Sequence, residues 1–167
     1  LDMMKAYDRV EWTFLDKVMT KYGFSAHLRE MIMRCVMTAS FSVKLNGGFS
    51  HRFVPSMGLR QGDPLSPYLF IFCVDGFSAL LKHAQEEKKI KGVSFGCTSP
   101  TVTHLLFAND SIFFLEGSQD NFHCLRAILQ DCEVASRQKV NLEKSAIFFG
   151  NGSADGDKEL LKQTICI

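Results

Sequence analysis

Two aspartates, Asp2 and Asp110, are the strongest candidates in this sequence for binding a metal ion. Asp2 directly follows the apolar Leu1, and Asp110 follows Asn109 in a short polar turn between two apolar runs. If both carboxylates lie at the ends of strands, they could hold Mg²⁺, which binds proteins through one or two carboxylates plus substrate phosphates. Taken singly, an exposed terminal aspartate and an ordinary turn residue explain the two positions more simply.

A loop at residues 58–67 could bind phosphate. Its two glycines allow the backbone to come close to a ligand, and Arg60 and Gln61 add planar hydrogen-bonding groups. Ser66 and Pro67 then begin a helix, whose free N–H groups favour anions. A plain loop that leads into a capped helix explains the same residues about equally well.

Together, the carboxylates and the loop predict a single phosphoryl-transfer site that uses divalent metal. Two ions about 3.5–4 Å apart could activate an attacking hydroxyl and stabilise a leaving pyrophosphate. A metal nuclease with the same carboxylates has less support, because no His or Lys is obviously placed as a general base.

The composition is that of one folded domain. The chain has 167 residues, of which 46% are hydrophobic and 22% charged, and this argues against intrinsic disorder. A net charge of +1 gives no overall attraction to nucleic acid or membranes, so such binding would need a local patch. The longest apolar stretch, residues 68–74, is far shorter than the ~20 residues of a membrane span. Because the chain begins without a methionine, we interpret it as a fragment.

The six cysteines form no CxxC pair. No secretory signal precedes them and most lie in apolar runs, so we expect reduced core thiols rather than disulfides. Their spacing from histidines also argues against a zinc site. The cysteines are Cys35, Cys73, Cys97, Cys124, Cys132 and Cys166.

The apolar periodicity and the turn residues predict an α+β fold with an antiparallel sheet. The predicted helices cover residues 10–22, 25–38, 66–85 and a segment from 118 to about 132. The predicted strands cover residues 41–45, 49–54, 102–107, 111–115, 140–142 and 146–149. Ser25 and Ser118 are the expected caps of their helices, Gly23 the expected end of the first helix, and Asn46-Gly47-Gly48 the turn of the first hairpin. We expect both strands of the second hairpin to be buried, and residues 159–166 are ambiguous.

Four blocks of the sequence resemble the palm region of reverse transcriptases from non-LTR (LINE-type) retrotransposons, and their residues are most like those of plant elements. They occur in the family's order, and four ordered blocks are far more specific than any one of them. The blocks are LDMMKAYDRVEW at residues 1–12 (motif A), GLRQGDPLSP at 58–67 (motif B), FAND at 107–110 (motif C) and QKVNLEKS at 138–145 (motif D). The resemblance implies a polymerase palm over residues 1–150, an antiparallel sheet packed on helices, with the fingers and thumb missing. Residues 151–167 match nothing specific and we interpret them as a tail or the start of a connection to a thumb.

The resemblance implies an RNA-directed DNA polymerase that transfers a nucleotide from a dNTP to a primer 3′-OH. Its partners would be an RNA template, a DNA primer and the dNTP, and its cofactor two Mg²⁺ (or Mn²⁺) ions. By this resemblance Asp2 and Asp110 bind the metal, and Lys144 is a candidate proton donor to the leaving pyrophosphate. The family works in the nucleus or cytoplasm, and no targeting signal in the sequence distinguishes the two.

The resemblance also assigns residues to the substrate. Tyr7 corresponds to the aromatic gate that excludes a nucleotide 2′-OH. Gln61 and Gly62, with Arg60 beside them, correspond to residues that lie against the incoming nucleotide and the template.

Asn109 is the main departure from the family pattern, because motif C normally has aspartate there. An amide keeps the shape but removes a negative charge, and it is a weaker ligand for a hard cation. Met4 and Arg137 stand where the family usually has Ser and Gly. We therefore expect an impaired enzyme that binds nucleic acid weakly on its own and exposes apolar surface where fingers and thumb would pack. The alternative is a non-catalytic remnant of the palm fold, with a protein- or RNA-binding role or no function.

Overall fold

The computed structural model describes residues 1–96, 99–150 and 155–165. The helices are α1 (Trp12–Lys21), α2 (Ala26–Met37), α3 (Ser66–Glu86), α4 (Gln119–Ser136) and α5 (Asp155–Ile165). The strands are β1 (Asp2–Met3), β2 (Lys44–Leu45), β3 (Gly48–Phe49), β4 (Val93–Ser94), β5 (Thr101–Val102), β6 (His104–Phe107), β7 (Asp110–Phe113) and β8 (Val140–Asn141). All strand pairs are antiparallel, so the predicted α+β class is confirmed. Among the described helices, none combines the length and apolar composition needed to cross a membrane.

Residue contacts divide the chain into two compact units. The first unit comprises Leu1–Ala6 and Val74–Ile167, and the second comprises Tyr7–Cys73. Each unit has its own sheet or hairpin and its own buried residues, and the two are described in turn.

The first unit is built on a four-stranded sheet with the order β6–β7–β1–β8. Strand β1 is only two residues long, but it lies between two partners. Asp2 pairs with Asp110 of β7 on one side and with Asn141 of β8 on the other. These pairings bring residues that are distant in the chain to both sides of Asp2.

The core of the first unit lies between this sheet and the helices. Apolar residues of the second half of α3, of the segment that follows it, and of α4 and α5 form one buried cluster, against which partly buried apolar residues, most of them near the strands, pack. The buried members are Phe77, Leu81, Ala84, Ile90, Phe122, Leu125, Leu129, Cys132 and Leu161. Ser118 caps α4 as predicted, since its side chain accepts a hydrogen bond from the Asn121 backbone N–H.

The second unit contains α1, α2, the β2–β3 hairpin and the loop that leads into α3. Helix α1 buries one face at helical spacing and ends as predicted before Gly23, whose φ is +79°. Ser25 caps α2 by accepting a hydrogen bond from the Leu28 backbone N–H at 3.3 Å. The apolar face of α2 is exposed, however, and no residue of this helix is buried.

Two strand predictions were wrong. Residues 146–149 form no strand, because β8 ends at Asn141 and the 3-10 helix Leu142–Lys144 follows. Strand β8 pairs with β1, and β1 is only two residues long. Residues 146–149 therefore find no further strand residues in β1 with which to pair. Strands β6 and β7 are also not fully buried: Phe107 is 81% exposed and Ile112 55%. Side chains alternate between the two faces of a strand, and the helices cover only one face of this sheet.

The remaining predictions concern the cysteines and the C-terminal segment. None of the four described cysteines forms a disulfide, and Cys73 and Cys132 are buried as expected. Cys35 is exposed, contrary to expectation, because it lies on the uncovered helix α2. Cys97 and Cys166 lie outside the described residues. The ambiguous segment at residues 159–166 is helical as far as Ile165.

Candidate active site

The two predicted metal-binding carboxylates are neighbours in the sheet of the first unit. Asp2 of β1 and Asp110 of β7 are directly opposite each other in the antiparallel register. Side chains at such positions have Cβ atoms about 4.5–5.5 Å apart, which is close enough for both carboxylates to contact one cation. Asp2 is half-buried and Asp110 is exposed, so the pair is open to solvent and to a substrate.

The turn between β6 and β7 places Asn109 beside this pair. Phe107 pairs with Asp110, so the turn consists of Ala108 and Asn109 alone, one residue fewer than predicted. Ala108 takes the positive φ of +50° that a two-residue hairpin turn needs at its first position. The Asn109 backbone oxygen accepts a hydrogen bond of 2.9 Å from the Met3 N–H, which fixes the turn against β1.

Both carboxylate oxygens of Asp2 accept hydrogen bonds from side-chain amides. Asn109 Nδ2 donates to Oδ1 at 2.8 Å, and Asn141 Nδ2 donates to Oδ2 at 3.2 Å. Asn141 received no role in the sequence analysis, although it lies within the motif D block. Only the register could have found it, because Asn141 is the residue of β8 that pairs with Asp2.

Ser145 links the end of the motif D block to the same position. The Asp2 backbone N–H donates to Ser145 Oγ at 3.3 Å, and this hydroxyl donates to the Asn141 backbone oxygen at 2.7 Å. Lys144, the predicted proton donor, precedes Ser145 at the end of the 3-10 helix and is exposed. Lys144 is therefore the residue directly before Ser145, whose hydroxyl accepts the hydrogen bond from the Asp2 backbone N–H.

Asp2 and Asp110 could together contribute two oxygen ligands to a hard cation such as Mg²⁺. Two carboxylates are a sufficient protein contribution for Mg²⁺ when phosphate oxygens and waters complete its shell. Within residues 1–96, 99–150 and 155–165, no group of three or more His, Cys, Asp or Glu side chains could hold a metal ion. Asn109 and Asn141 both present N–H donors to Asp2 and so compete with a cation for its oxygens.

The predicted substrate-binding residues lie in the second unit. The Tyr7 ring stacks on Phe70, with centroids 4.6 Å apart and an interplanar angle of 17°. The Tyr7 backbone oxygen accepts from the Leu59 N–H at 2.8 Å, which ties the motif A segment to the start of the motif B loop. This stacking restricts rotation of the Tyr7 ring.

The motif B loop is held against the same segment by Gly58. Its backbone N–H donates to the Val10 oxygen, and its oxygen accepts from Trp12 Nε1, each at 2.8 Å. A Cβ at Gly58 would lie 2.7 Å from the Asp8 backbone oxygen. Gly58 was expected to let the backbone come close to a ligand, but it comes close to the backbone of Asp8 instead. Gly62 faces open space.

Three loop residues remain available to a ligand. Arg60, Gln61 and Gly62 are all exposed. Gln61 Nε2 donates to Asp8 Oδ1 at 3.1 Å, a contact between motif B and motif A that the sequence analysis did not foresee. The structure thus brings together Asp2, Asn109 and Asp110 in one unit, and Tyr7 and the motif B residues in the other.

Comparison with known proteins identifies the family. A family model described as "Reverse transcriptase (RNA-dependent DNA polymerase)" matches residues 1–163. The chain is 49% identical over 67 residues to an uncharacterised mitochondrial protein of Arabidopsis thaliana, covering 40% of this chain and 55% of that protein. It is 28% identical over 150 residues to the uncharacterised 149 kDa protein of transposon TX1 from Xenopus laevis, covering 87% of this chain and 11% of that protein.

A further relative comes from Drosophila melanogaster. The chain is 30% identical over 116 residues to the retrovirus-related Pol polyprotein of its type-2 retrotransposable element R2DM, covering 70% of this chain and 10% of that protein. The chain thus spans about half or less of the curated relatives it matches. Since the family model covers nearly the whole chain and these relatives are non-LTR retrotransposon proteins, the resemblance stated above is confirmed: the chain belongs to the reverse transcriptase family and is a non-LTR reverse transcriptase domain.

Proposed function

We propose that this chain is the polymerase palm of a non-LTR retrotransposon reverse transcriptase, with its catalytic site weakened by Asn109. The reaction would be attack of a DNA primer 3′-OH on the α-phosphorus of a dNTP, directed by an RNA template. The observation that carries the proposal is the cross-strand pair of Asp2 and Asp110, with Asn109 bonded to Asp2 at 2.8 Å.

Asp2 and Asp110 would hold Mg²⁺ or Mn²⁺. When bound, such ions stabilise the charge that develops on the attacking and leaving oxygens. The second ion implied by the resemblance would take its further ligands from the phosphates of the dNTP. Lys144, exposed at the end of its 3-10 helix, would hold a proton at Nζ and deliver it to the pyrophosphate.

The motif B residues would orient the nucleotide. Arg60 has a planar guanidinium that matches a phosphate, and the exposed backbone of Gly62 can approach a flat base or sugar. Gln61 is held by Asp8 and would lie against the nucleotide and template. Tyr7, stacked on Phe70, would exclude a 2′-OH and so favour dNTPs.

Asn109 would impair this chemistry in two ways. It removes one negative charge from the position that the family uses in motif C, and its amide occupies Asp2 Oδ1. If ~4 kcal/mol of transition-state stabilisation is lost, the rate falls about a thousandfold. The same observation favours the second candidate function, a non-catalytic domain that keeps the fold and binds RNA or protein.

Titration with Mn²⁺ tests the proposed metal site directly. Free Mn²⁺ would be measured by electron paramagnetic resonance with the chain as it stands, with Asn109→Asp and with Asp2→Asn. We expect weak binding by the native chain, binding at least about tenfold tighter by Asn109→Asp because one more hard ligand is present, and none by Asp2→Asn.

Each outcome decides a specific point. Equal affinity of the native chain and Asn109→Asp would show that the lost charge does not matter, and the proposed impairment would be wrong. Equal affinity of Asp2→Asn and Asn109→Asp would show that Asp2 does not hold the ion, and the metal site would be wrong. Asn46→Asp, an asparagine in another hairpin turn, is the matched control for the added charge.

A further inference from the structure

An apolar cavity of about 440 Å³ lies in the first unit, beside strand β7. Residues 111–115 of β7 and its continuation line one part of it, and residues 146–148 line another. Phe122 and Leu125 of α4 belong to the lining, so the cavity reaches the buried core. Leu1, the residue directly before β1, lines it as well. The cavity therefore continues the line of β1 alongside β7.

Strand β7 has backbone groups without a partner on the side of this cavity. The Ser111 N–H donates to the Leu1 oxygen at 2.8 Å, and the Leu1 amino group donates to the Ser111 oxygen at 2.6 Å. Backbone groups of successive residues point alternately to the two neighbours of a strand, so those of Phe113 face the same side as those of Ser111. Within the described residues, no hydrogen bond to the Phe113 backbone is made there. The edge of β7 beyond Ser111 can thus accept a further antiparallel residue.

The segment at residues 146–149 has the side-chain alternation of a strand. Ile147 and Phe149 pack against the core, whereas Phe148 between them is 94% exposed. Such alternation is typical of a strand with one covered face. In the part of the chain that the structure describes, however, this segment pairs with no strand. The cavity therefore separates the free edge of β7 from a second segment that lacks a strand partner.

From this juxtaposition we infer that the cavity binds an extended peptide strand of a partner polypeptide, which continues the antiparallel ladder between β1 and β7. A residue opposite Phe113 points to the core, where the Phe113 ring contacts Phe77 with centroids 6.1 Å apart. A residue opposite Ile112 points to the exposed face, because Ile112 is 55% exposed. The partner segment thus has apolar residues at alternate positions, and it binds by strand addition. The inference does not depend on metal binding or catalysis at Asp2.

A peptide strand suits the cavity better than a small apolar molecule does. An apolar molecule would cover the Phe113 N–H and C=O without offering them a hydrogen bond, and unpaired buried backbone groups are costly. A strand pairs with both groups, and its inward side chains contact Phe122 and Leu125. The backbone of β7 thus decides between two occupants that the apolar lining alone would allow.

Binding of a synthetic peptide tests the inference. The probe alternates valine and threonine over about six residues, the usual length of a strand, and it is blocked at both ends and labelled for fluorescence anisotropy. For the native chain we expect a Kd of about 10–1000 µM, as for a short segment held by few hydrogen bonds. Hydrogen exchange of the Phe113 amide should slow on binding, whereas that of Ile112, which already faces β6, should not change.

Two altered peptides separate strand pairing from apolar contact without changing the protein. N-methylation of the valines removes the N–H groups that face β7 and should weaken binding about 2- to 12-fold for each hydrogen bond lost. A peptide of the same composition with its valines grouped together should bind at least about tenfold more weakly, because fewer valines reach the core.

Two variants of the chain locate the site. Ala146→Trp adds an indole to the cavity lining and should abolish binding, whereas Ala127→Trp adds the same group at an exposed position of α4 and should not affect it. Circular dichroism verifies that both variants are folded. The inference is overturned if the native chain fails to bind the probe at ~1 mM, or if either altered peptide binds as tightly as the probe.

Two further results would also overturn the inference. One is equal binding of the probe by Ala146→Trp and Ala127→Trp, because the peptide would then bind elsewhere. The other is a dimer in sedimentation that Ala146→Trp dissociates and the probe does not, because a second copy of the chain would then occupy the cavity.

Discussion

The side-chain amide of Asn109 donates a hydrogen bond of 2.8 Å to Oδ1 of Asp2, across a sheet in which Asp2 also pairs with Asp110. At residue 109, where the family pattern has aspartate, this chain has an amide that donates a hydrogen bond to the Asp2 carboxylate. If Asp2 and Asp110 hold a cation as proposed, the stability of the metal-free sheet and the metal affinity should depend oppositely on residue 109.

The first prediction follows from that opposition. Asn109→Asp should lower the free energy of unfolding of the metal-free chain by about 1–2 kcal/mol, because a charge-assisted hydrogen bond is replaced by like-charge repulsion. Asn109→Ala removes the hydrogen bond without adding a charge and should cost less. Urea denaturation compares the three proteins. The difference between the two variants should shrink in high salt, and a difference that is independent of salt would contradict the electrostatic explanation.

Gly58 and Gly62 provide a second, matched test in the motif B loop. Both have positive φ, of +92° and +85°, but only at Gly58 would a Cβ meet backbone, 2.7 Å from the Asp8 oxygen. Gly62→Ala should therefore cost about 1 kcal/mol, from backbone strain alone. Gly58→Ala should cost about 3 kcal/mol or more, because the loop must also move away from the motif A segment. Equal thermal stability of the two variants would show that the contact between Gly58 and Asp8 is not tight.

Arg137 carries a third prediction. It ends α4 in the left-handed conformation, with φ of +58°, at a position where the family pattern described above has glycine. Arg137→Gly and Arg137→Ala both remove the side chain, but only glycine adopts this conformation without strain. We expect Arg137→Gly to be more stable than Arg137→Ala by about 1 kcal/mol in thermal denaturation. The reverse order would mean that the strain at this position is negligible.

His104 makes the stability depend on pH. Burial, with a smaller contribution from Lys82, holds the pKa of this imidazole below its ordinary value of 6.5. Its ring nitrogens bond to Ser78 Oγ and Thr103 Oγ1, each at 2.8 Å. The unfolded chain therefore binds the proton more readily, so this contribution is complete above the unfolded pKa and is lost as the pH falls through 6.5.

The measurement for His104 is the melting temperature between pH ~7.5 and ~5.5, where carboxylates change little. The melting temperature of the native chain should fall toward the acid end, and His104→Gln should flatten that dependence. His27→Gln, the same substitution at an exposed position, is the matched control for the change of residue type. A slope for His104→Gln equal to that of the native chain would assign the dependence to other groups.

Local signals in the sequence predicted the helices and turns well. The first residues of α2 and α4 were predictable because Ser25 and Ser118 cap the N-termini of these helices. The Asn46-Gly47 turn likewise depends only on adjacent residues. The family blocks singled out Asp2 and Asp110 as the proposed metal-binding carboxylates, and Asn109 as the main departure from the family pattern. What none of these signals carried is pairing between distant segments.

Asn141 and the segment at 146–149 illustrate that limit. Asn141 bonds to Asp2 across 139 positions, and only the register of β1 with β8 shows it. The 146–149 segment has an apolar pattern typical of a strand, but a strand also needs a partner, and the two-residue β1 offers none. The predicted burial of Phe107 was wrong for a related reason. Helices cover only one face of this sheet, and which face they cover depends on the packing of the whole unit.

Primer extension on an RNA template, with Mg²⁺ or Mn²⁺, tests the central claim most directly. The native chain and Asn109→Asp would each be grafted between the fingers and thumb of an active relative, with Asp2→Asn as the inactive control. We predict extension by Asn109→Asp at about a thousand times the rate of the native sequence, which corresponds to ~4 kcal/mol at the transition state. Comparable rates for the native sequence and Asn109→Asp would contradict the claim that Asn109 silences this site, and no extension by either would contradict the assignment of Asp2 and Asp110 as a working polymerase pair.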